Sequence, residues 1–274
     1  MSAPLQRRLL TLTANERLGA YRVLRAVDPG PPPRAGQFAM LAAAERWGGG
    51  EDERPLLARA FSYARWQEGE AHFLLEDVGP GTHRLCELGA GNGLWLLGPL
   101  GRGFELPPER RRALLVGGGV GIAPLAIWQD ALDEATVLLG FRDAAHAHGA
   151  GLCRDALLAT DDGSHGHHGR VTDLLEAELD ADAHAVVYSC GPPPMLEAVR
   201  AICAVRDVPA QLALEAGMAC GFGACFGCVV PTRSGYARLC VDGPVLDAAE
   251  LERVECHPAS APAASGTRTA GTVR

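Results

Sequence analysis

The sequence predicts a multidomain chain of β and α/β type: an antiparallel β-barrel, a parallel α/β domain, and a small C-terminal domain built around cysteines. Three observations carry this. Short β-type runs separated by Pro/Gly turns fill residues 9–106, strand and helix patterns alternate from Arg110 onward, and Cys220, Cys225, Cys228 and Cys240 cluster near the C-terminus. A chain of 274 residues can hold two or three domains and bury a sizeable core.

In the first segment, residues 21–27, 37–41, 60–64 and 72–76 read as barrel strands, and 45–54, with three consecutive glycines, as a surface loop. In the second, 113–117 is a buried strand running into a glycine turn, followed by a helix from 123 to about 132. A strand at 135–141, a helix at 154–159, a strand at 185–189 and a helix at 194–205 complete the parallel unit. A short strand at 211–214 leads into the cysteine loop, and 229–232 with 236–239 form a hairpin that carries Cys240 back to the other three cysteines. The Ala/Ser/Thr/Gly-rich tail from His257 has too little apolar content to pack and is expected to be disordered. The expected boundaries are 1–108 for the barrel, 109–209 for the α/β domain, 210–256 for the cysteine domain and 257–274 for the tail.

The net charge of −8, with no Lys/Arg cluster interleaved with aromatics, argues against nucleic acid as a partner. Residues 114–128, the longest apolar stretch, contain four glycines and a proline and are too short to span a bilayer. An odd count of nine cysteines, behind an N-terminus without an apolar signal region, argues against a secreted disulfide framework and for the cytoplasm.

The spacing C-x4-C-x2-C…C is that of a plant-type [2Fe–2S] cluster. Structural zinc is the alternative, but it usually takes two short-spaced ligand pairs, and here only Cys225 and Cys228 form one. Gly221, Gly223 and Gly227 are expected at positive φ, bringing N–H groups towards the sulfides. Only 11 residues separate Cys228 from Cys240, and about 45 run from 211 to 255, too few for an independent core. The cluster module should therefore lean on the rest of the chain or on a partner.

In the α/β domain, Gly117-Gly118-Gly119-Val120-Gly121 lies between strand and helix, where N–H groups and the helix dipole favour a pyrophosphate. Pro124 stands where the third glycine of a dinucleotide fingerprint would be, and it suits a first helical turn. Cys190-Gly191-Pro192 follows a later strand and emerges at the same sheet edge. Asp143, about 20 residues past the first turn, is spaced for a ribose hydroxyl, which favours NAD over NADP; a solvated loop aspartate is the plain alternative. In the barrel, Arg59-Ala60-Phe61-Ser62 and Gly81-Thr82 together suit a flavin and its phosphates, although each alone is weak. Cys86, Cys153, Cys203 and Cys256 show no ligand spacing, and His165, His167 and His168 read as a polar loop.

The order of these elements resembles the ferredoxin-reductase superfamily. Residues 218–228 together with 240–245 narrow the resemblance to the electron-transfer subunits of dihydroorotate dehydrogenase; residues 98–104, 140–142 and 160–164 also match. The resemblance implies a flavin-binding barrel, an NAD-binding domain and a [2Fe–2S] domain in one subunit. It places Arg59, Ala60, Phe61, Ser62, Leu74, Leu75, Glu76, Gly81 and Thr82 on FAD, the four cysteines on iron, and Cys190 beside the reacting carbon of the nicotinamide as the catalytic residue. Two departures stand out: Ala60 replaces the family's usual proline, and Leu75-Glu76 replaces its usual Tyr-Arg.

Hydride donors deliver electrons in pairs and the cluster takes them singly, so the cofactor order NAD, FAD, [2Fe–2S] follows from electron count. The chain has no dihydroorotate site, since a TIM barrel alone needs about 250 residues. The resemblance therefore implies an FMN-containing dihydroorotate dehydrogenase catalytic subunit as partner, two copies of each chain in a hetero-oligomer, and the net conversion of dihydroorotate and NAD to orotate and NADH. The competing readings are a flavoprotein reductase of the same superfamily serving a ferredoxin, hydrogenase or oxygenase, and a non-enzymatic redox-sensing module.

Overall fold

A computed structural model describes residues 6–48, 55–107 and 109–254. The expected disordered tail, Cys256 and most of the 45–54 loop lie outside the described residues.

Six strands close a barrel in the order β1-β2-β5-β4-β3-β6: β1 (Arg7–Leu18), β2 (Tyr21–Val27), β3 (Phe38–Ala43), β4 (Arg59–Gln67), β5 (Glu70–Glu76) and β6 (Gly93–Leu100). Alternation makes this possible, because in β6 every second residue, Leu94, Leu96, Gly98 and Leu100, is buried. Tyr63, Phe73, Leu75 and Leu24 fill the interior. Between β5 and β6 runs a short helix, α1 (Pro80–Cys86), whose proline lies in the first turn.

The second domain contributes β7 (Arg112–Gly118), α2 (Ala123–Ala131), β8 (Thr136–Phe141), α3 (Ala144–Ala147), β9 (Ala156–Thr160), β10 (His167–His168), α4 (Val171–Ala181), β11 (Ala185–Cys190) and α5 (Pro193–Val205). Strand β11 is buried at all six positions, as a parallel strand covered on both faces must be. One expectation fails here: residues 154–159 are not helical. Residues 156–160 instead extend beside β8, in parallel register from Val137↔Ala156 to Phe141↔Thr160. The four-residue apolar run Ala156-Leu157-Leu158-Ala159 carries no period that separates helix from strand, and pairing with β8 decides it.

The boundary expected at 209/210 also moves. Strand β12 (Ala210–Ala213) pairs with β11 inside the sheet, and after the cysteine loop and the hairpin β13 (Val229–Thr232) and β14 (Gly235–Arg238) the chain returns as β15 (Val245–Asp247), antiparallel to β12. The sheet order is β10-β9-β8-β7-β11-β12-β15. The cluster segment is thus an excursion from the sheet edge. Cys228, Leu239 and Cys240 share one buried core with Phe38, Met40 and Leu100 of the barrel and Leu196 and Leu212 of the α/β domain. The expected dependence of the small cluster module on the rest of the chain is met inside the chain itself.

Candidate functional site: two cavities and a cysteine loop at the domain junction

Parallel strands β7 and β11 end side by side, with Cys190 in register with Gly117, so both glycine turns emerge at one edge facing the barrel. Two cavities open there. The larger, about 440 Å³, is lined by Gly118, Gly119 and Pro192 from the turns and by Tyr21 and Glu76 from the barrel. The smaller, about 270 Å³, draws on all three modules: Phe38, Ala60, Phe61, Ser62, Leu74 and Thr82 from the barrel, Gly121 and Cys190 from the α/β domain, and Glu215, Ala216 and Met218 from the cysteine segment.

The glycines of the turns are set by close approach. A Cβ at Gly118 would stand 2.6 Å from Met195 Sδ, and one at Gly191 would stand 2.5 Å from Met195 Cε. Gly119 takes φ +55° with open space beyond its α-carbon, so its peptide faces the larger cavity unobstructed. Pro124 is buried in the first turn of α2 and shapes the helix start without lining either cavity.

Asp143 does not take the role expected of it. It caps α3, its Oδ1 accepting from His146 N at 3.0 Å and lying 2.6 Å from His146 Nδ1. The hydrogen bonds from the His146 side chain and backbone hold its carboxyl below the ordinary aspartate value. Asp161, just past β9, lines the larger cavity instead.

In the smaller cavity, Ala60, Phe61, Ser62, Leu74 and Thr82 line the wall, while the Leu75 side chain is fully buried inside the barrel. Strand alternation forces this, since neighbours on β5 face opposite sides. Arg59 lies over the start of α1, so close that a Cβ at Gly81 would come within 2.6 Å of its Nε. Thr82 Oγ1 accepts from the N–H groups of Val78 and Gly79 and fixes that turn. Glu76 faces both cavities, but its carboxylate is taken: Arg142 Nη2 donates to it at 2.8 Å and His146 Nε2 lies at 3.2 Å.

Cys190 is buried, and burial, reinforced by the nearby Glu215 carboxylate, pushes its thiol well up, so it stays protonated near neutrality. Glu215 was not singled out by the sequence. Its side chain reaches water through the cavity, yet the protein packed around it lifts its carboxyl above the ordinary value.

In the cysteine loop, Gly221 and Gly223 take φ +79° and +88°, as expected, but Gly227 does not; the left-handed residue there is Phe226, at φ +58°. Its exposed ring lies under the Arg238 guanidinium, 5.4 Å away, which contributes to holding that conformation. Backbone N–H groups point at sulfur as charge neutralisation requires: Gly223 donates to Cys240 Sγ at 3.1 Å, and Gly227 and Cys240 donate to Cys225 and Cys228 at 3.4 Å. Against the effect of burial, N–H groups of Phe222, Cys225 and Ala224 bring the Cys220 thiol down to about 6. Burial and the Cys228 neighbour push Cys240 up to about 12.

Cys220 interacts with Cys225, and Cys228 with Cys240. Two pairs suit two irons with two thiolates each. Cys86, Cys153 and Cys203 lie away from the loop in separate elements, and His167 pairs with Asp173 on the surface at 3.2 Å. No helix among the described residues is long and apolar enough to cross a membrane.

Comparison with known proteins agrees with this geometry. Residues 215–252 match the iron-sulfur cluster binding domain of dihydroorotate dehydrogenase B. Among solved structures, that of an NADH-dependent reduced ferredoxin-NADP oxidoreductase overlays with a TM-score of 0.74 at 26% identity, covering 90% of each chain. A ferredoxin reductase of carbazole 1,9a-dioxygenase shares the fold, with a TM-score of 0.65 at 22% identity over 77% of this chain and 70% of its own. The dihydroorotate dehydrogenase B (NAD(+)) electron transfer subunit of Bacillus caldolyticus is 41% identical over 212 residues, 72% of this chain and 80% of that one. Its counterpart in Bacillus velezensis is 37% identical over 264 residues, 88% and 97% of the two chains. A match that spans barrel, α/β domain and cysteine loop together leaves one assignment: the chain belongs to the family of electron transfer subunits of dihydroorotate dehydrogenase B.

Proposed function

We propose that this chain carries electrons between NAD and an FMN-containing dihydroorotate dehydrogenase catalytic subunit, through its own FAD and [2Fe–2S] cluster, in cytoplasmic pyrimidine biosynthesis. The supporting observation is the smaller cavity, whose wall is shared by the barrel, the Cys190 turn and the segment leading into the cluster loop. A flavin there would collect electrons singly from a one-electron centre and pass them on as a pair, linking that centre to a nicotinamide.

The residues present fit that assignment. Arg59 suits the flavin phosphates, Ser62 and Ala60 its ring, and the Gly118-Gly119 turn a dinucleotide pyrophosphate. Cys190, a neutral and small side chain, would border the nicotinamide while excluding water. Asp161 at the far end of the larger cavity suits a ribose hydroxyl and disfavours a 2′-phosphate, which supports NAD over NADP. The four thiolates and their N–H donors would hold the cluster, beside the exposed rings of Phe222 and Phe226.

The test is co-purification with a candidate FMN subunit, two copies of each chain being expected, followed by assay of dihydroorotate-dependent NAD reduction. Activity only in the mixture supports the proposal; absence of both complex and coupled activity refutes it. The overlay with the ferredoxin-NADP oxidoreductase supports a second reading, a reductase for a ferredoxin-type acceptor. Under that reading, NADH-dependent ferredoxin reduction proceeds at full rate without any FMN subunit.

A further inference from the structure

Glu76, the last residue of β5, faces the larger cavity, and a cation from the other domain meets it there. Arg142, just beyond β8 in the opposite domain, reaches across the junction and donates to Glu76 Oε1 at 2.8 Å. Asp143 Oδ2 lies 3.7 Å from its Nε, and the His146 ring packs against the same guanidinium. His146 is itself tied to Glu76 and Asp143, so Arg142 is held from two sides. A planar guanidinium gripped at one edge keeps its remaining N–H donors aimed in a fixed direction.

That matters because Arg142 lines the larger cavity together with Gly118 and Gly119. Beside it Tyr21, 1% exposed, lines the same cavity, and its buried hydroxyl has no hydrogen-bond partner among the described residues. A buried hydroxyl without a partner is costly unless something else satisfies it. A fixed cation, an unpaired hydroxyl and a glycine turn at the start of a helix are together the chemistry of a phosphate site. A salt bridge serving only to join the domains would need neither the cavity nor the orphan hydroxyl.

We propose that Arg142 is the phosphate-binding cation of the larger cavity, and that Glu76, by holding it across the domain junction, is the residue that positions it. This rests on the reading of that cavity as the NAD site. The cation then comes from the α/β domain rather than from the barrel.

The experiment titrates FAD- and cluster-loaded protein with ADP-ribose by calorimetry at several salt concentrations. Arg142→Gln is expected to weaken binding about 10- to 100-fold and to flatten its salt dependence, as loss of a charge-assisted contact requires. Glu76→Gln should weaken it about 3- to 10-fold, the share owed to orientation. Iron content should stay at the parent level in both, and FAD content in Arg142→Gln, which separates binding from folding. The double reversal Glu76→Arg/Arg142→Glu rebuilds the interdomain pair, so it should recover the melting temperature but not the affinity. Unchanged affinity in Arg142→Gln, or full recovery in the double reversal, overturns the proposal and leaves the NAD reading intact. Failure of the parent protein to bind ADP-ribose removes the NAD reading itself.

Discussion

Gly121 lies directly against the backbone of Cys190: a Cβ at residue 121 would stand 2.5 Å from both the carbonyl carbon and the carbonyl oxygen of Cys190. The two turns that build the nucleotide edge are thus packed backbone to backbone, with no room for a side chain between them.

Gly121→Ala should therefore push the turns apart. Neither neighbour is a flexible side-chain tip that can move aside, so a cost of about 1–3 kcal/mol is expected, as for overpacking. Affinity for NAD should fall at least about tenfold. Chemical denaturation and nucleotide titration check the two effects, and a variant with parent-like values in both would show that the turns can separate freely.

Arg238 joins the parts of the cysteine loop. It stacks on Phe226 at 5.4 Å, donates to Gly223 O at 3.4 Å and pairs with Asp242 at 3.5 Å. Reduction adds negative charge to a cluster, so removing a nearby cation should disfavour the reduced form and lower its potential. Arg238→Gln should shift the midpoint downward in an EPR-monitored titration while keeping its iron. Cys228→Ser, at a buried ligand, should lose the iron outright.

Glu215 provides a pH signature. Packing raises its folded carboxyl above the ordinary value of 4.5, so just above that pH the folded chain keeps a proton that the unfolded chain has lost. Stability then falls as pH rises from about 4.5 to the folded value, and the loss persists above it. Glu215→Gln cannot titrate. Its melting temperature should decline less over that window and exceed the parent's at neutral pH, whereas parallel curves would show that the carboxyl is not perturbed.

Asp28, 2% exposed, receives Arg8 Nε and Nη2 at 2.7 Å each and Gly30 N at 2.8 Å. Arg8 also donates to Gly98 O at 2.8 Å, tying β1 to β6. Breaking a buried pair by removing one partner leaves the other charge uncompensated, so Asp28→Ala should cost about 3–5 kcal/mol in urea denaturation. A loss below about 1 kcal/mol would place the pair among surface ion pairs.

Much of the molecule follows from local pattern alone. Alternation on the barrel strands, the glycine turn after β7, the proline start of α5 and the cysteine spacing are all short-range signals, because each element's own residues must satisfy its backbone and bury its own face. The helix expected at 154–159 fails for the same reason: the short run Ala156-Leu157-Leu158-Ala159 takes whatever shape its neighbour offers, and β8 offers an edge.

Spacing alone could name the cysteines, the glycine turns and Ser62. It could not show that Leu75 points inward, that Asp143 is spent on a cap, or that Glu76, Arg142 and His146 meet across the junction. Glu76 and Arg142 are 66 residues apart. Which carboxylate caps a helix, which faces a cavity and which holds an arginine are decided by how separately folded segments pack. Hydrogen bonding and desolvation depend on atoms that come together only when the barrel, the sheet and the cysteine loop close on one another.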